Sequence, residues 1–257
     1  MSQPRRGTGS APRWRPPGGE RYPQVVVDAF GGGHPASRRR VVLVEILLGA
    51  SALLAVGVAA RVLVVHNLEA TNLVWNLFLA WIPFLLALAF YDGARRGASR
   101  GALAALAAGW LVFLPNAPYI VTDVKWLGEY HGGSPVYDAF LIALAALLGL
   151  ALGFVSIYLV QTVVAARYGR PVGWALAWAA LVLSGLGVYL GRFQRWNSWE
   201  VLTEPTKIAG NLLQAAVDPL AHARPIALST AFAILWCAGY AAFYSTFRAQ
   251  LERLSDR

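Results

Sequence analysis

Apolar positions fall in long blocks, with polar residues pushed into the gaps between them. The blocks lie at roughly 41–65, 72–91, 102–121, 137–163, 173–190 and 226–248. Each is close to the ~20 residues that a helix needs to cross the hydrocarbon core of a bilayer. A chain crossing lipid must satisfy its own backbone groups. The pattern therefore predicts an all-α, polytopic helical membrane protein with six transmembrane helices. Glu45 and Arg61 sit near the two ends of the first block, where their side chains are expected to reach the interfaces. Residues 1–40, rich in Arg, Pro and Gly, hold too little apolar surface to offset ordering entropy and read as a disordered cytoplasmic tail. The first block starts too late and runs too long for a signal peptide, so it is expected to be retained. That leaves 41–248 as the membrane domain and 249–257 as a short cytoplasmic C-terminal tail.

Composition agrees with this picture. Of 257 residues, 57% are apolar and 14% charged, whereas soluble domains carry about a quarter charged residues. The lone Cys237 excludes an intramolecular disulfide. The net charge of +9 does not mark a nucleic-acid binder, because eight of the 22 basic residues lie in the first 40 positions and most others in short loops. Segments on the N-terminal side of the membrane hold 16 of the 22, against six on the other side. This bias places both termini in the cytoplasm. The loop 191–225 carries four basic residues against the trend, but long loops follow the rule less strictly. Arginine outnumbers lysine 20 to 2 and Ala, Gly and Pro abound, as GC-rich codons produce. A bacterial plasma membrane is the expected location.

Within that loop, "TKIAGNLLQAAVDPL" (206–220) sets Ile208, Leu212, Ala216 and Leu220 on one face, with Leu213 and Val217 beside them. Lys207, Asn211, Gln214 and Asp218 form another face. This predicts an amphipathic helix that lies on the outer leaflet or packs on the bundle rim, and in either place it can roof a site.

The third block ends in "FLPNAPYIVTD" (Phe113–Asp123), a poor sequence for a segment that only crosses lipid. Pro115 and Pro118 lack amide donors and free the carbonyls of Leu111 and Leu114. At helical spacing Asn116, Tyr119 and Asp123 share a face; local capping by Asn116 and Asp123 is the alternative. Asn72 and Asn76 open the second block, Tyr137 and Asp138 open the fourth, and Arg192, Arg195, Trp196, Asn197 and Glu200 follow the fifth in "GRFQRWNSWE". By the charge bias, all of these fall on the external side. Carboxylates, amides and arginines gathered at one interface point to a site. Arg192 and Arg195 are expected to hold an anionic group, with Asp123, Asp138 and Glu200 as acid/base groups or cation ligands and the amides and aromatics as binding residues. Mutual Arg–carboxylate salt bridges are the alternative. The Trp196 and Trp199 rings also suit an interfacial belt.

These residues resemble a family of bacterial integral membrane proteins, domain of unknown function 1361. The shared elements are "FLPNxPYxxTD", an aromatic–Asp pair, an "RFxRWNSWD"-like segment and a run similar to "NLFLAWIPF", over roughly 65–225. The usual Trp-Tyr-Asp reads Val136-Tyr137-Asp138 here, and the last motif ends in Glu200. The resemblance implies a multi-pass membrane protein and carries no activity.

No nucleophile elbow, His-Glu-x-x-His or Walker element is present, so no cofactor or metal set is assigned. His34, His66, His131 and His222 read as solvated loop or tail residues. Three functions remain open. One is a membrane enzyme acting on a lipid-linked or envelope substrate. Another is a non-catalytic assembly factor that binds lipid or protein, and the third is a small-molecule transporter. The third is weakest, because the middles of the blocks carry no ionisable residue. Besides the bilayer itself, the expected partners are anionic lipid or a lipid-linked substrate. "GLALG" (Gly149–Gly153) and "GVYLG" (Gly187–Gly191) supply small-residue faces for bundle packing or for a homo-oligomer.

Overall fold

The computed structural model describes residues 34–127, 129–194, 196, 200–204, 206, 207, 210, 213, 214, 217, 218, 221 and 223–255. Six of its helical segments are long and apolar enough to cross a membrane: Arg40–Val65, Thr71–Arg96, Arg100–Trp126, Pro135–Tyr168, Arg170–Arg192 and Ile226–Thr246. The chain is thus built as a multi-pass membrane protein, and no strand occurs among the described residues. The helices are α1 (His34–Val65), α2 (Thr71–Arg96), α3 (Arg100–Phe113), α4 (Asn116–Tyr119), α5 (Pro135–Tyr168), α6 (Arg170–Phe193), α7 (Glu200–Thr203) and α8 (Ala223–Ser255). A 3₁₀ turn over Ile120–Trp126 follows α4. Helix α1 begins inside the stretch expected to be a tail, and α8 continues through most of 249–257.

Local chemistry sets the boundaries. Gly97 ends α2 in the left-handed conformation (φ 76°), and its N–H is bonded to Ala94 O. Two residues later Ser99 caps α3 by accepting from Ala102 N at 3.2 Å. Pro135 opens α5 where its missing N–H costs nothing.

The third crossing is not one helix. Between α3 and α4 the backbone stays near helical geometry, and Ala117 N reaches back to Leu114 O (3.1 Å) and Tyr119 N to Pro115 O (3.1 Å). The Leu114 carbonyl that Pro118 leaves free is therefore taken locally. Both glycine pairs pack against this segment. A Cβ at Gly149 of α5 would fall 2.5 Å from Ala117 O, and one at Gly187 of α6 would fall 2.5 Å from Pro115. Gly153 faces Ala117 and Gly191 faces the Tyr119 ring. The two small-residue faces thus serve packing inside the bundle, and they hold the proline-broken segment between α5 and α6.

Helix α5 is the axis of the bundle: 56% of its most apolar stretch is buried, against 17% for that of α1 and 11% for that of α8. Lipid tails are as apolar as Leu, so van der Waals packing and polar ties carry the association of these helices. Trp110 Nε1 donates to Ser156 Oγ (3.2 Å), joining α3 to α5, and Tyr240 on α8 hydrogen-bonds buried Gln161 on α5. Trp81 Nε1 donates to Ser51 Oγ (3.1 Å), and Arg40 grips Asp92 with two bonds of 2.7 and 2.8 Å, fastening α1 to α2 at two depths. Of the expected amphipathic helix, Thr206, Lys207, Gly210, Leu213, Gln214 and Val217 are helical, with Leu213 and Val217 exposed. Ile208, Asn211, Leu212, Ala216 and Leu220 lie outside the described residues.

Candidate functional site

Asp123, Asp138 and Arg192 lie at the same end of the bundle, in two ionic centres. The first is built by the 3₁₀ turn against the end of α6. Arg192 Nη2 donates to Asp123 Oδ1 at 2.9 Å, its Nε donates to Thr122 Oγ1 at 3.0 Å, and its guanidinium carbon lies 4.4 Å from the centre of the Tyr119 ring. Thr122 Oγ1 in turn donates to Tyr119 O (2.6 Å), so the hydroxyl is aimed to accept from the arginine. Asn76 on α2 donates to the other carboxylate oxygen, Oδ2, at 2.6 Å. The Asp123 side chain is 1% exposed and that of Arg192 13%. Arg192 Nη1 makes no hydrogen bond to a described group. Contacts on two flanks thus hold the guanidinium while one donor edge stays unspent.

The second centre joins the last turn of α1 to the first turn of α5. Arg61 Nε donates to Asp138 Oδ1 (2.5 Å), Nη2 to Oδ2 (3.3 Å) and Nη1 to Asn67 Oδ1 (2.9 Å). Both charged side chains are at most 4% exposed. The Tyr130 ring lies 4.8 Å from the guanidinium carbon, on another flank. Gly133 closes over the pair so tightly that a Cβ there would fall 2.8 Å from Asp138 Oδ2.

Tyr130 also ties the second centre to α2. Its hydroxyl donates to Asn72 Oδ1 at 2.8 Å, one helical turn from Asn76 on α2. Burial pushes this phenol up to about 12, with lesser upward contributions from Asp123 and Asp138, so it remains a neutral donor. The loop carrying Tyr130 is strapped to the α1–α2 connection. Glu69 accepts from His131 N (2.9 Å) and lies 3.0 Å from His131 Nδ1, while Asn67 Nδ2 donates to His131 O (3.0 Å). The His131 amide, then its ring, hold the Glu69 carboxyl below its ordinary range.

The predicted site residues take these places. Both oxygens of Asp123 and both of Asp138 accept from protein donors. The mutual salt bridge holds for Arg192, and Asp138 has a partner outside the predicted set. That partner, Arg61, is buried and does not reach out to an interface, because the α1–α2 turn and Tyr130 enclose it. Asn116 donates to Phe113 O (2.9 Å), the local-cap arrangement. Tyr137 donates to Gly57 O (2.8 Å) and so faces α1. Trp196 is half-buried, and its N–H bonds Leu190 O (3.1 Å) at the end of α6. Glu200 opens α7, partly buried. Arg195, Asn197 and Trp199 lie outside the described residues. His66 and His131 are exposed loop residues.

Sequence reasoning placed Arg61 at an interface and did not assign it, Asn67, Thr122 or Tyr130 to the site. Arg61 carried the clearest signal, as an arginine within an apolar span. Thr122 sits inside the motif itself. Nothing in the pattern of the 127–134 loop marks Tyr130. Among the described residues no cluster of three or more His, Cys, Asp or Glu side chains is placed to hold a metal ion.

Asn76, Asp123, Asp138 and Arg192 all fall within the span covered by one protein-family model; Arg61 and Asn72 precede it. No curated protein and no solved structure matches the chain. The matching model, described as "Protein of unknown function (DUF1361)", covers residues 75–238, well over half of the chain, and the chain belongs to that family.

Proposed function

We propose that the chain recognises the anionic headgroup of a lipid or lipid-linked envelope molecule at the outer face of a bacterial plasma membrane, with Arg192 as the principal contact. Both termini are then cytoplasmic, as the arginine distribution favours. The observation that carries this reading is the state of Arg192. Asp123, Thr122 and the Tyr119 ring fix its orientation, it remains 13% exposed, and Nη1 is unspent among the described groups. A guanidinium fixed in this way offers donors to phosphate or carboxylate with little further loss of side-chain freedom. The carboxylates favour recognition over proton transfer, because Asp123 Oδ2 already accepts from Asn76 and Asp138 is enclosed by Arg61 and Gly133.

The test is native mass spectrometry of the full chain purified with its co-extracted lipid. Loss of a charge-assisted contact corresponds to about tenfold or more in affinity. Arg192→Gln is therefore expected to lower retained anionic lipid by about that factor, while Arg95→Gln at the opposite end of the bundle leaves the outer-site species in place. Equal retention by Arg192→Gln and the parent would overturn the proposal.

A further inference from the structure

Helices α6 and α8 bound a groove of about 770 Å³ that opens to the surface of the bundle. This lies within the ~300–1,000 Å³ typical of ligand sites. Trp178, Val182, Leu186 and Tyr189 form one wall, while Ser229, Ala233, Cys237 and Ala241 supply small residues on the other. On α8, positions 229, 233, 237 and 241 follow one helical stripe of small residues, beside the bulkier Ile226 and Ile234. At Gly185 the helices touch, since a Cβ there would fall 2.8 Å from Ser229 O.

We infer that this groove seats a hydrocarbon chain of the amphiphile whose headgroup Arg192 receives; the assignment deepens the function proposed above and rests on it. Three observations select this occupant. The groove lies wholly within two membrane-spanning segments, and its lining is overwhelmingly apolar. From Trp178 to Tyr189 it follows α6 for about 16 Å, enough for one extended chain or part of a longer one. Its upper end lies towards the polar site, because Tyr189 stands three residues before Arg192 on α6 and such positions are neighbours on a helix surface. A cationic donor at the mouth of an apolar trough matches a molecule with an anionic head and a hydrocarbon tail.

The test uses the full chain in phosphatidylcholine vesicles doped with phosphatidylglycerol that carries a photoactivatable diazirine in its acyl chain, with diazirine-labelled diacylglycerol as the uncharged comparison. Labelling is expected to concentrate in 178–189 and 226–241. Val182→Trp and Ala238→Phe, both at exposed positions and so compatible with folding, fill the trough and are expected to lower that labelling about tenfold, the equivalent of about 1.4 kcal/mol. Arg192→Gln is expected to abolish the preference for phosphatidylglycerol over diacylglycerol while groove labelling persists. Labelling spread evenly over exposed positions such as Leu53 and Leu63 of α1, and unchanged by both filling variants, would overturn the assignment. So would chain-to-chain cross-links through 178–189, which would show a second copy in the groove. Groove labelling with no headgroup preference in the parent protein would support the chain seat and contradict the headgroup reading, so the two failures are distinguishable.

Discussion

Each buried carboxylate at the site end of the bundle is neutralised by one arginine, and the two pairs are expected to respond differently to substitution. Arg61 and Asp138 are both almost wholly enclosed. Removing one partner leaves an uncompensated buried charge, which costs about 3–5 kcal/mol, whereas replacing both with apolar groups is far milder. Asp138→Asn is therefore expected to lower the thermal unfolding midpoint in detergent sharply, and the double variant Arg61→Met/Asp138→Leu to recover most of the loss. Arg192 keeps some solvent contact, so Arg192→Lys is expected to fold. It would lose anionic-lipid retention all the same, because an ammonium cannot bond Thr122 and Asp123 and still present a fixed donor edge. The Glu69 strap gives a pH dependence. Its carboxyl is held low, so its stabilising contribution is complete above the ordinary glutamate value of 4.5 and is lost as pH falls through the lower folded value. The protection factor of the His131 amide, its exchange rate corrected for the intrinsic pH dependence, should fall in that acid window and stay level between pH 6 and 8. Asp123, Asp138 and Arg192 were legible in the sequence because charged groups at the ends of apolar runs stand out. The pairing of Asp138 with Arg61 was not, because it depends on how α1 lies against α5, and the spacing within one helix carries no information about that.

The decisive element is the segment from Phe113 to Trp126. Its prolines announced a break, but not that the chain would continue through a helical turn into a 3₁₀ turn. That continuation swings Thr122 and Asp123 towards α6, and a straight helix would have placed them elsewhere. The glycines of α5 and α6 make the path available. Gly149→Ala would bring a methyl group to 2.5 Å from Ala117 O, a backbone atom that cannot step aside. A loss of about 1–3 kcal/mol is expected, as for other overpacked sites. Weaker anionic-lipid retention should accompany it, because the displaced segment carries Tyr119 and Asp123. Gly49, by contrast, meets nothing within 4 Å, and Gly49→Ala should leave both properties intact.

At the scale of the molecule, hydropathy alone revealed the number and rough limits of the spanning helices, because lipid permits few alternatives. It did not reveal which helices pack centrally. Helix α1 is a peripheral element held by polar ties to α2 at Asp92 and Trp81 and to α5 at Asp138. The end ties are far apart along α1, so the losses from Asp92→Asn and Asp138→Asn are expected to add in thermal unfolding. At the same scale, the proposed amphiphile site combines the groove between α6 and α8 with Arg192 alone, since the Arg61–Asp138 centre is enclosed.

The most direct test is an experimental structure of the full chain in nanodiscs containing phosphatidylglycerol. Density for an anionic headgroup within hydrogen-bonding distance of Arg192 Nη1, with its chain descending between α6 and α8, is the predicted result. An Arg192 whose free edge is covered by protein, with headgroups bound only at the arginines of the opposite end, would contradict the account.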